Sequence, residues 1–219
     1  MTSRACPVVL AAPSGTGKTT LSRRLVDGSG RYEFSVSATT RAPRGTERDG
    51  IDYHFVDRET FMARVGRGEL AEWAEVHGRL YGTPRAEFEA AAARGAHVVL
   101  DIDVQGARQV KEAFPATKLI FVLPPSVESL LARLRERGTE DRDDIERRLR
   151  SALDELDAAE AFDYVIVNDD LERCLAEIEV IVAGELAPAE TSGTKEDARG
   201  LREHVARVLE GEIEERAAG

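Results

Sequence analysis

The segment APSGTGKTT, Ala12 to Thr20, carries the second half of the pattern G-x-x-x-x-G-K-[ST] intact, as Gly17, Lys18 and Thr19 with Gly15 before them. A loop of this kind, set between a strand and a helix, turns backbone N–H groups toward an anion and adds the positive end of the helix dipole. Both flanks are present. Pro7–Ala11 (PVVLA) reads as a short buried strand, and LSRRLVDG reads as a helix ended by Gly28. The place of the pattern's first glycine is taken by Ala12. A left-handed backbone there would cost alanine about 1–2 kcal/mol, and any other backbone would cost it nothing. The segment therefore reads as a phosphate cradle, with ATP the expected ligand of Ala12, Pro13, Ser14, Gly15, Thr16, Gly17, Lys18, Thr19 and Thr20. Lys18 would reach the β- and γ-phosphates, and the Thr19 hydroxyl would ligate Mg²⁺. The loop alone does not identify a reaction.

Further along, apolar runs alternate with helical patterns. His97–Asp103 (HVVLDID), Lys118–Leu123 (KLIFVL) and Tyr164–Val167 (YVIV) read as buried strands, each followed by a helical stretch, and Ser126 is placed to cap one of these helices. Such alternation predicts an α/β fold with a central parallel sheet covered on both faces. Residues 37–95 break the rhythm and are expected to form an inserted lobe. After Leu186 comes APAETSGT, a linker composition, and then an amphipathic helix over Lys195–Arg216, begun by Thr194 with Asp197 three residues on. We expect a main domain over 1–186 and a linker with C-terminal helix over 187–219. That helix is expected to dock on its own domain, with a partner or dimer contact as the alternative.

Composition narrows the classes. The chain has 219 residues, 42% hydrophobic, with a net charge of −11. An acidic surface gives no reason to expect nucleic-acid binding. No stretch approaches the roughly 20 apolar residues of a membrane span. The two cysteines, Cys6 and Cys174, fit no metal or redox spacing and read as free thiols. A cytoplasmic protein is expected, without nucleic-acid or membrane partners.

A second informative stretch is SVSATTRAPRG, Ser35 to Gly45. Arg41 and Arg44 flank Pro43, and two guanidinium forks close together suit a dianionic phosphate. Taken alone, two solvated loop arginines would be the simpler reading. GIDYHF, AEWAEVHGRLYGTP and LDIDVQG follow in order. With PPSVESLLARLRERGTE and VIVNDD, these motifs make the chain closely similar to the guanylate kinases, P-loop nucleoside monophosphate kinases, over roughly Val8 to Leu186. Relatives in that family also carry alanine at the Ala12 position. The resemblance implies a three-layer P-loop kinase fold with a central parallel sheet, a GMP-binding lobe (about 37–95) and a helical lid (about 137–148). It assigns Arg41, Arg44, Tyr53 and Tyr81 to the GMP phosphate, and Ser37, Glu72, Thr83 and Asp103 to guanine. Thr83 stands where many relatives have serine, and the hydroxyl is kept. The chemistry agrees: guanine offers N1–H and N2–H₂ as adjacent donors to a carboxylate such as Glu72, and a hydroxyl can donate to O6. Each residue also has an ordinary reading, Glu72 as a solvated face, the tyrosines as packing, Asp103 as a helix cap.

Asp101 ends a strand where P-loop enzymes place an acidic residue near Mg²⁺, and its expected role is to hold a metal-bound water. The resemblance assigns Arg133, Arg137 and Arg148 to the cations that close over the transferring phosphoryl group, catalytic with Lys18 and Arg41. Surface pairing with Glu128, Glu136 or Glu146 is the alternative. Asn168 resembles the family's adenine-side contact, though it could cap the following helix. No histidine is given a catalytic role, because the attacking GMP phosphate is already ionised. The implied reaction is transfer of the γ-phosphoryl of ATP to GMP, with Mg²⁺ as cofactor and dGMP as a further possible acceptor, in a monomer or homodimer. A non-catalytic interaction module of the same family and a same-fold kinase with another acceptor stand as alternatives.

Overall fold

The computed structural model describes residues 5–136 and 142–218. In chain order the elements are β1 (Pro7–Ala11), α1 (Lys18–Ser29), β2 (Tyr32–Phe34), β3 (Ala38–Thr39), β4 (His54–Phe55), α2 (Arg58–Gly66), β5 (Leu70–Val76), β6 (Arg79–Pro84) and α3 (Arg85–Arg94). There follow β7 (His97–Leu100), α4 (Val104–Ala113), β8 (Lys118–Leu123), α5 (Val127–Glu136), α6 (Arg142–Asp157), β9 (Tyr164–Val167), α7 (Leu171–Ala183) and α8 (Lys195–Ala218). Contacts divide the chain into two units. One holds the residues up to Val9 with Leu25–Lys118, the other Leu10–Arg24 with the chain from Leu119 on.

The central sheet has the strand order β2-β7-β1-β8-β9. Its pairings are parallel, with Pro7 opposite Val98, Tyr32 opposite His97 and Ile120 opposite Tyr164. A parallel sheet is covered by helices on both faces, so its strands need no polar side. That is why PVVLA and HVVL are buried at every position. Among the boundaries that differ from the sequence reading are the end of the His97 run and the end of α1. The run from His97 stops pairing at Leu100, which leaves Asp101 and Asp103 in the turn before α4. Gly28 lies inside α1 rather than ending it. The left-handed residue is Gly30, with φ 64°, and a side chain at Gly28 would meet open space, so nothing forces the helix to stop there.

The segment 37–95 builds a second sheet in the order β4-β3-β6-β5. It has a small core of its own, Ala38, Phe61, Leu70 and Leu80, with Val56, Val65 and Trp73 packed against it. Strands β5 and β6 are joined by His77 and Gly78, with φ 49° and 75°. Two consecutive positive φ values give the turn whose twist matches a two-residue hairpin. Opposite Trp73 stands Gly82.

In the other unit, α8 packs on α5 and most extensively on α6, burying Ala198, Val205 and Leu209. Thr194 and Asp197 cap it reciprocally: Thr194 N donates to Asp197 Oδ2 at 2.8 Å and Asp197 N donates to Thr194 Oγ1 at 3.1 Å. The C-terminal helix is therefore docked on its own chain.

A methyl group at Gly82 would stand 2.7 Å from the Glu72 carbonyl oxygen and 2.9 Å from Trp73 Cβ. Gly82→Ala is expected to destabilise the fold by about 1–3 kcal/mol, read as a lower urea midpoint with an unchanged m-value.

Candidate active site

The glycine loop is shaped by glycines where the backbone requires them. Gly15 and Gly17 have φ 90° and 94°. Ala12 does not have positive φ, so alanine is unstrained there. The loop leads into α1, with Lys18 as its first residue and Thr19 and Thr20 exposed in the first turn. Three later elements hold the loop. From α5, Arg133 Nη1 donates to the Thr16 carbonyl at 2.7 Å. From the end of β9, Asn168 Nδ2 donates to the same carbonyl at 2.9 Å. From α6, the Glu155 carboxylate accepts from Ser14 N–H at 2.7 Å. A Cβ at Gly17 would stand 3.1 Å from Asn168 Nδ2, so the glycine also admits the asparagine. A cavity of about 430 Å³ opens beside the loop, lined by Gly15, Gly17, Arg133, Asn168 and Asp169 among others. Asn168 is buried and does not cap α7. That cap is Asp170, whose carboxylate accepts from Arg173 N–H. Arg133 spans to the loop rather than pairing with Glu128. Arg148 lies on α6, half-buried, and Arg137 lies outside the described residues.

The lobe brings the second set together in two clusters. In the first, Arg41 is gripped bidentately by Glu47, at 2.8 and 2.9 Å, and the same carboxylate accepts from Arg44 N–H at 2.7 Å. The Arg41 guanidinium lies 5.2 Å from the Tyr53 ring centre, which is edge-on to Tyr81 at 6.2 Å. The hydrogen bonds that Arg41 donates to Glu47, and then the interaction with Tyr81, raise the Arg41 pKa above the usual arginine value, while Arg41 and then the Arg44 N–H lower that of Glu47. Glu47 has no place in the motif reading and is found only through this contact.

In the second cluster, Glu72 is 6% exposed. Thr83 Oγ1 donates to Glu72 Oε1 at 2.6 Å, and Ser37 Oγ stands 3.5 Å from Thr83 Oγ1. Burial pushes the Glu72 carboxyl above the usual range, the Asp103 charge pushes the same way, and the bond from Thr83 draws it back. Asp103 caps α4, with Oδ1 accepting from Gly106 N–H at 2.8 Å. It thus fills the ordinary role and also presents charge to Glu72. Asp101 lies exposed just past β7.

For Mg²⁺, the expected donors Thr19 and Asp101 are a hydroxyl and a carboxylate, hard oxygens of the kind the ion takes. No group of three or more His, Cys, Asp or Glu that could hold a metal occurs among the described residues. No described helix is long and apolar enough to cross a membrane.

Residues 4–185 match the family model described as guanylate kinase. The chain is 48% identical over 179 residues to the guanylate kinase of Myxococcus xanthus (strain DK1622), covering 81% of this chain and 86% of that one. It is 53% identical over 171 residues to the guanylate kinase of Nitratidesulfovibrio vulgaris (Hildenborough strain), covering 78% and 83%. The crystal structure of guanylate kinase from Anaplasma phagocytophilum superposes with a TM-score of 0.61 at 36% identity, covering 89% of this chain and 93% of that one.

The raised Glu72 pKa has a signed consequence for the ligand-free protein. The folded state favours the protonated acid, so the stabilising contribution is complete below the ordinary glutamate pKa and is lost as pH rises through the raised value. Glu72→Gln keeps an acceptor for Thr83 and never ionises. In urea titrations it is expected to match the parent at about pH 4 and to exceed it at about pH 8. Equal stability of the two proteins at both pH values would remove burial of the charge as a cost in this site.

Proposed function

The chain belongs to the guanylate kinase family, and from that premise we propose that it transfers the γ-phosphoryl group of ATP to GMP, giving ADP and GDP. The observation that carries the guanine assignment is Glu72: a carboxylate 6% exposed, with Thr83 Oγ1 at 2.6 Å and Ser37 beside it. A buried carboxylate wants two donors, and the N1–H and N2–H₂ of guanine offer them on one edge. Adenine would turn the N1 lone pair toward Glu72 and leave its oxygens unpaired. Sites that hydrogen-bond a substrate in this way reject the mismatched one by roughly 10⁴ or more. Ser37, Thr83 and Asp103 complete the base-reading set.

Arg41, Arg44, Tyr53 and Tyr81 take the GMP phosphate in this reading. The support is the charged, bidentate posture of Arg41 on Glu47, a carboxylate that presents oxygens much as a phosphate would. The loop from Ala12 to Thr20 takes the ATP phosphates, with Lys18 on the β- and γ-groups and Asn168 on the adenine side. Bound Mg²⁺, held by Thr19 directly and Asp101 through water, would neutralise charge on the β- and γ-oxygens. Arg133, Arg137 and Arg148 are the cations of the transition state. Negative charge grows on the γ-phosphoryl oxygens as the bond to ADP breaks, and fixed guanidinium groups meet it without reorganising. The nucleophile is an oxygen of the GMP phosphate, which is ionised at neutral pH, so no side chain needs to remove a proton. We read the chain as cytoplasmic, a reading supported by two buried cysteines that form no disulfide.

ADP release from the purified protein with Mg-ATP and each of GMP, dGMP, AMP, CMP and UMP tests the proposal. Turnover with guanine acceptors alone is expected. Turnover with another base would keep the fold and discard the base-reading assignments. Binding of ATP without any turnover would favour an interaction module. Lys18→Ala is expected to lower kcat by at least about 100-fold, and wild-type turnover in that variant would remove the loop assignment.

A further inference from the structure

Strand β5 is the last strand of the lobe sheet, so one side of its backbone faces no neighbouring strand. On that side one side chain binds both backbone groups of Trp73. Gln109, on α4, accepts from Trp73 N–H through Oε1 at 3.0 Å and donates from Nε2 to the Trp73 carbonyl at 3.1 Å. A primary amide carries an acceptor and a donor on one planar group, so it can pair with a strand residue as a peptide unit would. Trp73 directly follows Glu72, whose carboxylate faces the guanine set.

The same helix meets Glu72 at two further positions, three residues apart each time. Asp103 caps α4 and its charge bears on Glu72. Gly106, held by Asp103 Oδ1, leaves room for the carboxylate: a Cβ there would stand 3.2 Å from Glu72 Oε2. Gln109 then fixes the backbone one residue on. Positions 103, 106 and 109 lie along one face of a helix.

We propose that Gln109 is a positioning residue for guanine recognition, setting the Glu72 carboxylate at its height over Asp103 and Gly106 by clamping both backbone groups of Trp73. The proposal rests on the reading of Glu72 as the guanine contact. Glu72 must meet two donors on a rigid base edge, and a carboxylate displaced by a fraction of an ångström loses one of them. Gln109 does not touch the base, and it contributes by removing the freedom of an otherwise open strand edge. Its effect is therefore confined to the acceptor nucleotide.

The test is steady-state kinetics of Gln109→Met, which keeps the length of the side chain and removes both hydrogen bonds. KM for GMP is expected to rise about tenfold, with KM for ATP within about twofold of wild type and discrimination against AMP reduced. In a Glu72→Gln background the same substitution is expected to add less than about twofold, because the group it positions has already been altered. Should Gln109→Met fail to fold, Gln109→Glu carries the same test. It is nearly isosteric, loses the donor to the Trp73 carbonyl, and is expected to give the same acceptor-selective rise. Equal rises in both KM values, an unchanged KM for GMP, or full additivity with Glu72→Gln would each overturn the proposal. If Glu72→Gln alone left rejection of AMP intact, the base-reading assignment would fall and this inference with it. A Glu72 effect beside a silent Gln109 variant would overturn only the inference.

Discussion

A loop that turns its backbone N–H groups toward an anion must send its carbonyls elsewhere, and the Thr16 carbonyl shows where. It accepts from Arg133 at 2.7 Å and from Asn168 at 2.9 Å, one donor from α5 and one from the end of β9. Both belong to segments more than a hundred residues later in the chain. A loop rich in glycine has more conformations to lose than any other, so its working shape needs external anchors. Here the anchors are a cation, an amide and, on Ser14 N–H, the carboxylate of Glu155. The position of Arg133 follows from this. A guanidinium has five N–H donors, so holding Thr16 leaves donors over for the phosphoryl role we propose.

The lobe solves a different problem with the same economy of parts. A buried carboxylate is expensive unless its oxygens are satisfied. In the ligand-free protein Glu72 has Thr83 on one oxygen, and burial with the Asp103 charge drives its pKa up. Part of the stability of the lobe is thus withheld until a ligand supplies donors. In the proposed site this is the source of selectivity: the ligand that relieves the penalty is the one whose hydrogens match. Glu47 shows the complementary case. Beside Arg41 it is held in the ionised form, so the cation we propose for the GMP phosphate is already paired and in place in the ligand-free protein.

What the sequence made legible follows from where each signal lives. Pro7–Ala11, Lys118–Leu123 and Tyr164–Val167 were readable to the residue because strands buried on both faces are unbroken apolar runs. Strands β3 and β4, two residues each, carry no period to read. Gly28 misled because glycine marks a helix end only where the backbone turns left-handed, and that happens at Gly30. The side chains now gathered in the lobe were named through resemblance to a family, since their spacing along the chain is set by the fold and by no local rule. Glu47, Gln109 and Glu155 went unread for one reason: each binds a backbone N–H or a single distant side chain. In sequence such a residue is indistinguishable from the solvated face of a helix or loop.

The C-terminal segment falls outside the matched range of 4–185, yet it is joined to the machinery by packing. Ser192 takes the Val167 N–H on its hydroxyl at 2.9 Å, and Gly193 N–H donates to the Val165 carbonyl at 3.2 Å, so the linker closes the free edge of β9. A Cβ at Gly193 would stand 3.1 Å from Val167 Cγ2, a close fit in which the valine would have to give by a few tenths of an ångström. Beyond it, α8 lies along α6, where Arg202 pairs with Asp157 at 2.5 Å. The pair is partly exposed and contributes little by itself, so the buried apolar side chains of Val205 and Leu209 hold the helix more strongly than the ion pair does. Helix α6 therefore has the tail on one side and, through Glu155, the nucleotide loop on another. An edge strand without cover is a hazard, and a helix without a packing partner is loose. One short extension answers both, which explains why it is ordered as a helix on its own chain and is not a free arm.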